Sequence, residues 1–317
     1  MLLHLLSPLN LRIKKSMDIV PRKVIVNFGP IPIVPFDWYD NSPAITEFFH
    51  ALSVHFPAGE TFFIESVAHY AKEIKAKNPA LWERVRMFFK QEGMHTHVHE
   101  LWDQRVQLEF NHNMNAHEQG VAERLGRVKR NVPHLTSLAV TACLEHFTAT
   151  LARLLLNTNS GRYIQNKSAE PYKSLWRWHA IEELEHKDVA YDVYTLVGGG
   201  YIRRSLIMMI VGPLFIMRTL LTWYSLIRER NLPILSSMGT LFKFLMWKPG
   251  VLLQSIPSMM EWFLPWYHPS SSAYDNDASI VDKYAKLLKY KENQEGIIQL
   301  TPSDNQTLPT TQIFGKL

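Results

Sequence analysis

The chain has 317 residues, 46% of them hydrophobic and 12% aromatic, which suffices for a large buried core and excludes a disordered or low-complexity protein. Its 34 Lys and Arg exceed its 29 Asp and Glu by a formal charge of +5, spread along the chain without the basic stripe or aromatic-interleaved repeats of a nucleic-acid binder. A lone cysteine, Cys143, excludes a disulfide framework and any thiolate-built zinc or iron–sulfur centre, and it suits a reducing compartment, the cytoplasm.

The first residues, Met1 to Leu6, form too short an apolar run for a secretory signal, and Met17 is an alternative start. Residues 17–57 carry Pro21, Pro30, Pro32, Pro35, Pro43 and Pro57 between short apolar runs, which predicts an extended arm with one brief helix wrapping the core. Apolar residues at Phe63, Ile64, Val67, Ala71 and Ile74 recur at helical spacing and predict a first helix over 60–77. Asn78-Pro79 is a cap followed by a first-turn proline, and a second helix follows to about residue 106. The connector 107–131 reads as loose, with a short helix near Val121. Pro133 opens a third helix to about residue 156; a fourth runs from about 171 to 197, ended by Gly198, Gly199 and Gly200. The stretch 205–227 is almost wholly apolar and long enough to span a bilayer, yet Arg218 near its middle makes a buried or monotopic helix at least as suitable. Residues 241–266 have a similar interfacial character, and beyond His268 the chain turns polar, with a helix expected over 280–290 and a mobile end. The expected fold is therefore all-α: an N-terminal arm (1–57), a four-helix core (58–200), apolar and membrane-compatible helices (201–267) and a polar tail (268–317).

The chemistry concentrates in the core. Residues three apart on a helix share a face, so Glu-x-x-His presents a carboxylate and an imidazole to one cation; two such pairs plus two lone glutamates are the ligand pattern of a dinuclear site in a helical bundle. Four Glu-x-x-His pairs occur here. Glu47/His50 and Glu109/His112 fall in a proline-bounded segment and an Asn-rich connector and read as chance. Glu92/His95 and Glu183/His186 fall within the second and fourth helices. A glutamate precedes each on the neighbouring helix: Glu60 or Glu65 in the first, and Glu145 in the third, among Ala142, Cys143, Leu144 and Phe147, where an uncompensated carboxylate would be costly. Glu182 also shares a face with His186, but the register of Glu92/His95 favours Glu183. His99, His146 and His179 crowd the same faces, and His179, four residues before Glu183, is the seventh candidate ligand.

At these residues the chain resembles a bacterial family labelled predicted metal-dependent hydrolases, placed near the ferritin-like superfamily. The stretches that carry the resemblance are Phe56-Pro-Ala-Gly-Glu60-Thr-Phe-Phe63, Gln91-Glu-Gly-Met-His95, Leu144-Glu-His146 and the run from Trp178 to Lys187, within residues 17–205. The resemblance implies a ferritin-like core with Glu60, rather than Glu65, as the first ligand, and metal-dependent hydrolysis. The run His179, Glu183, His186 is also similar to the three-histidine di-iron site of arylamine N-oxygenases. Gly93-Met94 departs from the family pattern and would loosen the second helix beside the site.

Carboxylates and imidazoles without thiolate favour two ions of iron or manganese, with zinc the main hydrolytic competitor. Iron would bring oxygen-dependent oxidation, and zinc or manganese a water nucleophile; the bundle layout tips the expectation toward an oxygen-dependent oxidoreductase. Phe62, Phe63, Phe88, Phe89, Trp176, Trp178 and Tyr191 near the ligand positions suggest a small apolar substrate. Contact with the inner face of a membrane and a homodimer are both compatible with the sequence.

Overall fold

The computed structural model describes residues 16–29, 36–271 and 276–302. The expectations for a leader and for the end of the tail lie outside the described residues.

Helices account for nearly all the regular structure. Two short strands, β1 (Lys23–Val26) and β2 (Ile297–Leu300), pair in parallel with Lys23 opposite Ile297. The proline-rich arm thus supplies β1 and then α1 (Pro43–Ser53), in which every residue from Ala44 to Ser53 is buried. The expected first helix is two, α2 (Phe56–Ala68) and α3 (Ala71–Lys77), broken at His69-Tyr70. Neither proline nor glycine announces that break; the His69 ring stacks on His134 at 3.7 Å.

The second helix, α4 (Pro79–Phe110), begins as its cap predicts: Asn78 Oδ1 accepts the Leu81 N–H at 3.0 Å. It is 32 residues long, continuous through Gly93, and ends at Asn111 with φ of 55°. The connector expected to be loose is an 18-residue helix, α5 (Met114–Asn131), whose first turn is capped by the Asn113 side chain. Next come α6 (His134–Asn157) and α7 (Asn159–Lys167). Gly161 in α7 lies against the Leu154 and Leu155 carbonyls, where any Cβ would collide. The fourth expected helix also divides, into α8 (Tyr172–His186) and α9 (Val189–Leu196). At the break Asp188 turns to Arg84, 2.5 Å away, and Lys187 to Asp277, also 2.5 Å away.

Helix α2 packs on α4 and α6 on α8, while α2 meets α6 and α4 meets α8, closing a four-helix core. Outside it lie α10 (Tyr201–Glu229), α11 (Ile234–Met246) and α12 (Val251–Glu261). Helices α6 and α10 are both long and apolar enough to cross a membrane, but 78% of the α6 window is buried against 22% for α10. The inner face of α10 packs on α1 and α6, and its outer face exposes Ile202, Leu206, Met209, Ile210, Met217 and Leu221. In the polar tail, the helix expected over 280–290 is α13 (Asp277–Lys289), and it docks on α8.

Candidate metal centre

The four core helices aim their polar residues at one another. Glu60 comes from α2, Glu92 and His95 from α4, Glu145 from α6, and His179, Glu183 and His186 from α8. All seven are buried, and the structure brings all seven together. His186 Nε2 lies 2.9 Å from Glu92 Oε1, 3.5 Å from Glu145 Oε2 and 3.6 Å from Glu183 Oε1. His179 Nε2 is 2.9 Å from Glu183 Oε1 and 3.7 Å from Glu60 Oε1. His95 Nδ1 is 3.5 Å from Glu183 Oε1 and 4.0 Å from both Glu60 Oε1 and Glu92 Oε1.

These contacts do not amount to a satisfied hydrogen-bond network. Glu60 Oε1, both oxygens of Glu92 and of Glu145, Glu183 Oε2, His95 Nδ1 and His186 Nε2 are buried without a hydrogen-bond partner. Such atoms are expensive to bury unless something compensates them. Ligand atoms roughly 2.0–2.2 Å from a common cation stand roughly 2.9–3.5 Å from one another at tetrahedral or octahedral angles, close to the spacings here. The donors fall into overlapping sets: Glu60 with His95 and His179, Glu92 with His95 and Glu183, and Glu92 with Glu145 and His186. The residues therefore fit bound metal.

The outer nitrogen of each imidazole is occupied, which leaves the inner one free to ligate. His95 Nε2 is held by Glu182 at 3.0 Å, and His186 Nδ1 donates to Gln91 Oε1 at 2.9 Å. His179 Nδ1 pairs with His99 Nε2 at 2.8 Å; His99 Nδ1 pairs with Ser53 at 2.9 Å, and Ser53 donates to Asp103 at 2.7 Å. Glu182 is thus the partner of His95 and of Arg22, and Glu183 faces the cluster, as the register favoured. Glu65 is excluded: it pairs at the surface with Lys129. His146 turns away, bonding to Ser258 and Tyr267.

The electrostatics follow from burial and crowding. Burial, reinforced by Glu92, raises the carboxyls of Glu60 and Glu145 well above the ordinary range. Burial lifts Glu92 to about 7 against the attraction of His186. Burial would raise Glu183 too, but His186 and His179 outweigh it and hold that carboxyl down. His95 is pushed down by burial and by neighbouring His179.

Sequence reasoning missed Arg22. It reaches from the arm to Glu182 at 3.2 Å and Glu185 at 2.6 Å, clasping the back of α8; one arginine among many in a proline-rich segment carries no local signal. Glu47, His50 and His112, from the two pairs read as chance, form a second cluster. All three are buried together: Glu47 Oε2 lies 3.2 Å from His50 Nδ1 and 3.0 Å from His112 Nε2, and Glu47 Oε1 accepts from Arg230 at 2.8 Å. Burial would raise the Glu47 carboxyl, but these partners outweigh it and hold it low, so the network is satisfied without a cation.

Two apolar cavities reach the cluster. One, about 140 Å³, touches His179 and Glu183 and is walled by Phe48, Phe49, Phe56, Trp176 and Phe244. The other, about 240 Å³, touches Glu60 and is walled by Phe56, Phe63, Leu144, Phe147 and Phe215. Of the aromatics expected near the ligands, Phe63 and Trp176 line cavities, Phe88 and Trp178 pack edge-on against His186 and His95, and Tyr191 packs instead on Trp262 and Tyr267. Phe62 is core, and Phe89 packs on Phe88. Phe56, Phe147 and Phe215 supply walls that their scattered sequence positions concealed.

No curated protein and no solved structure matches the chain. The sequence profile described as "predicted metal-dependent hydrolase" matches residues 20–273, a span that contains all four core helices and every residue of the cluster, and the chain belongs to that family.

Proposed function

We propose that this chain is a dinuclear-metal hydrolase acting on an apolar substrate. In this reading Glu60, Glu92, His95, Glu145, His179, Glu183 and His186 would hold the two cations. The observation that carries it is the convergence of unpartnered, buried carboxylate and imidazole atoms at cation-compatible spacing. When bound, such a pair of cations supplies Lewis acidity and lowers the pKa of a water to the neutral range. The chain's own residues do the rest. Glu182, Gln91 and His99 hold the imidazoles in ligating orientation. Phe56, Phe147 and Phe215 line the approach with apolar surface and keep bulk water from it.

A second reading, oxygen-dependent oxidation by two irons, is favoured by one observation: two Glu-x-x-His pairs and two lone glutamates on four helices are the layout of di-iron and di-manganese carboxylate proteins. Anaerobic purification with metal analysis, then loading with Fe(II), Mn(II) or Zn(II), separates the two. Two ions per chain and metal-restored cleavage of an apolar ester support the hydrolase. An oxygen-dependent absorption band with Fe(II), and no cleavage with any metal, would replace it by the oxidase. A chain that binds no metal would end both.

The apolar outer face of α10, bordered by Arg203 and Arg228, is proposed to rest on a membrane surface, from which such substrates are drawn.

A further inference from the structure

The cavity that touches Glu60 is not uniformly apolar. Its walls come from α2, α5, α6 and α10, and two arginines, Arg124 on α5 and Arg218 on α10, are among its lining residues. Arg124 is half-buried and Arg218 exposed, and among the described residues neither makes an ion pair with a carboxylate. Burial, then Arg218 and Arg127, lower the Arg124 guanidinium against the attraction of Glu123. An anion bound at this apolar pocket would relieve the repulsion between the two arginines. His55 also lines this cavity and is buried, its Nδ1 donating to the Ala51 carbonyl at 2.7 Å. The cavity thus offers two cationic side chains together with the apolar surface of Phe63, Leu144, Phe147 and Phe215. It shares Phe56, Phe147, Thr148 and Phe215 with the cavity that touches Glu183.

We propose that this cavity binds a single-chain amphiphilic carboxylate, its head between Arg124 and Arg218 and its hydrocarbon chain running inward to Glu60. The occupant follows from charge complementarity. A neutral hydrocarbon leaves both guanidinium groups uncompensated, and a bare inorganic anion leaves the apolar interior unused. The proposal rests on the dinuclear-enzyme reading and deepens it: the bond acted upon lies in the part of the chain remote from the acid. Leu214 and Arg218 place the entrance beside the exposed apolar stripe of α10, the direction from which an amphiphile partitioned into a bilayer would enter.

The test is a calorimetric titration of the full chain, metal-free and metal-loaded, with dodecanoate, dodecanol, dodecyl phosphate and inorganic phosphate, all as monomers. Dodecanoate is expected to bind one per chain and roughly ten- to hundredfold more tightly than dodecanol, the range for charge-assisted hydrogen bonds. The double variant Arg124→Gln/Arg218→Gln is expected to erase that difference and leave dodecanol binding unchanged. Val211→Trp, in the cavity wall, is expected to weaken both ligands. Equal affinity for dodecanoate and dodecanol, or dodecanoate binding indifferent to both arginines, would overturn the proposal. So would inorganic phosphate binding as tightly as dodecyl phosphate, which would mark a bare anion site, or dodecyl phosphate outcompeting dodecanoate, which would reassign the head group. Because the metal-free protein is titrated as well, loss of amphiphile binding leaves the metal reading standing, and loss of metal binding leaves this site measurable.

Discussion

Replacing Glu145 by leucine should make the metal-free protein more stable and the metal-bound protein less so. Glu145 is 1% exposed, both of its oxygens lack hydrogen-bond partners, and burial together with Glu92 raises its carboxyl well above the ordinary range. Without metal it is a buried carboxyl with no hydrogen-bond partner, a situation that costs about 1–3 kcal/mol. Glu145→Leu removes that penalty and adds apolar burial, so its metal-free form should melt higher, by roughly 1.5 °C per kcal/mol in a chain of this length. Metal reverses the order. A cation at a hundred times its dissociation constant stabilises the wild type by about 2.7 kcal/mol, and the variant, lacking a ligand, should gain far less. Glu145→Gln serves as the control, since it removes the carboxylate but keeps an unpartnered polar group; it should lose the metal effect without the metal-free gain. Thermal unfolding of the three proteins, chelated and metal-loaded, reads all of this. If Glu145→Leu melts lower than wild type after chelation and keeps the same metal-induced shift, Glu145 is structural and the assignment fails.

Glu182→Ala spares every proposed ligand but releases His95 Nε2, and equilibrium titration should show metal affinity falling about 10- to 100-fold. His55 carries a pH signature: burial lowers its pKa from 6.5 to about 4, against the hydrogen bond to Ala51, so the unfolded chain binds the extra proton between those values. Stability from this group is complete above pH 6.5 and is lost as the pH falls toward 4, by roughly 3 kcal/mol at most. Denaturant titrations over that range should show a shallower acid limb in His55→Gln; an unchanged slope would mean that His55 is not buried as a neutral ring. Finally, Leu206→Glu/Met217→Glu on the exposed stripe of α10 should abolish flotation with anionic vesicles while leaving the fold and metal content intact; vesicle binding that survives both charges would place the membrane contact elsewhere.

The candidate cluster was largely legible in the sequence because its residues obey local rules. Glu92 with His95 and Glu183 with His186 are one helical turn apart, and helical spacing alone puts each pair on one face. Glu145 was legible because a carboxyl inside an apolar helical run demands compensation. The extents of the helices were less so. The breaks at His69-Tyr70 and Lys187-Asp188 have no proline or glycine to mark them, and α5 is a polar helix whose weak apolar pattern resembled a loop. Propensity is a weak prior, and packing overrides it.

What the sequence determined by itself was the helical class, the capped start of α4, the proline before α6, and the residue types of a candidate metal centre. Tertiary structure decided which of two adjacent glutamates faces the centre, with Glu183 inward and Glu182 turned to His95 and Arg22. It also decided that the Glu47/His50 pair meets the distant His112 and Arg230, and that Arg124 and Arg218 line one cavity. The physical reason is the same throughout. Helical periodicity encodes which residues share a face, but which face meets which neighbour is set by packing whole helices together, and compensation of a buried charge can come from any distance along the chain.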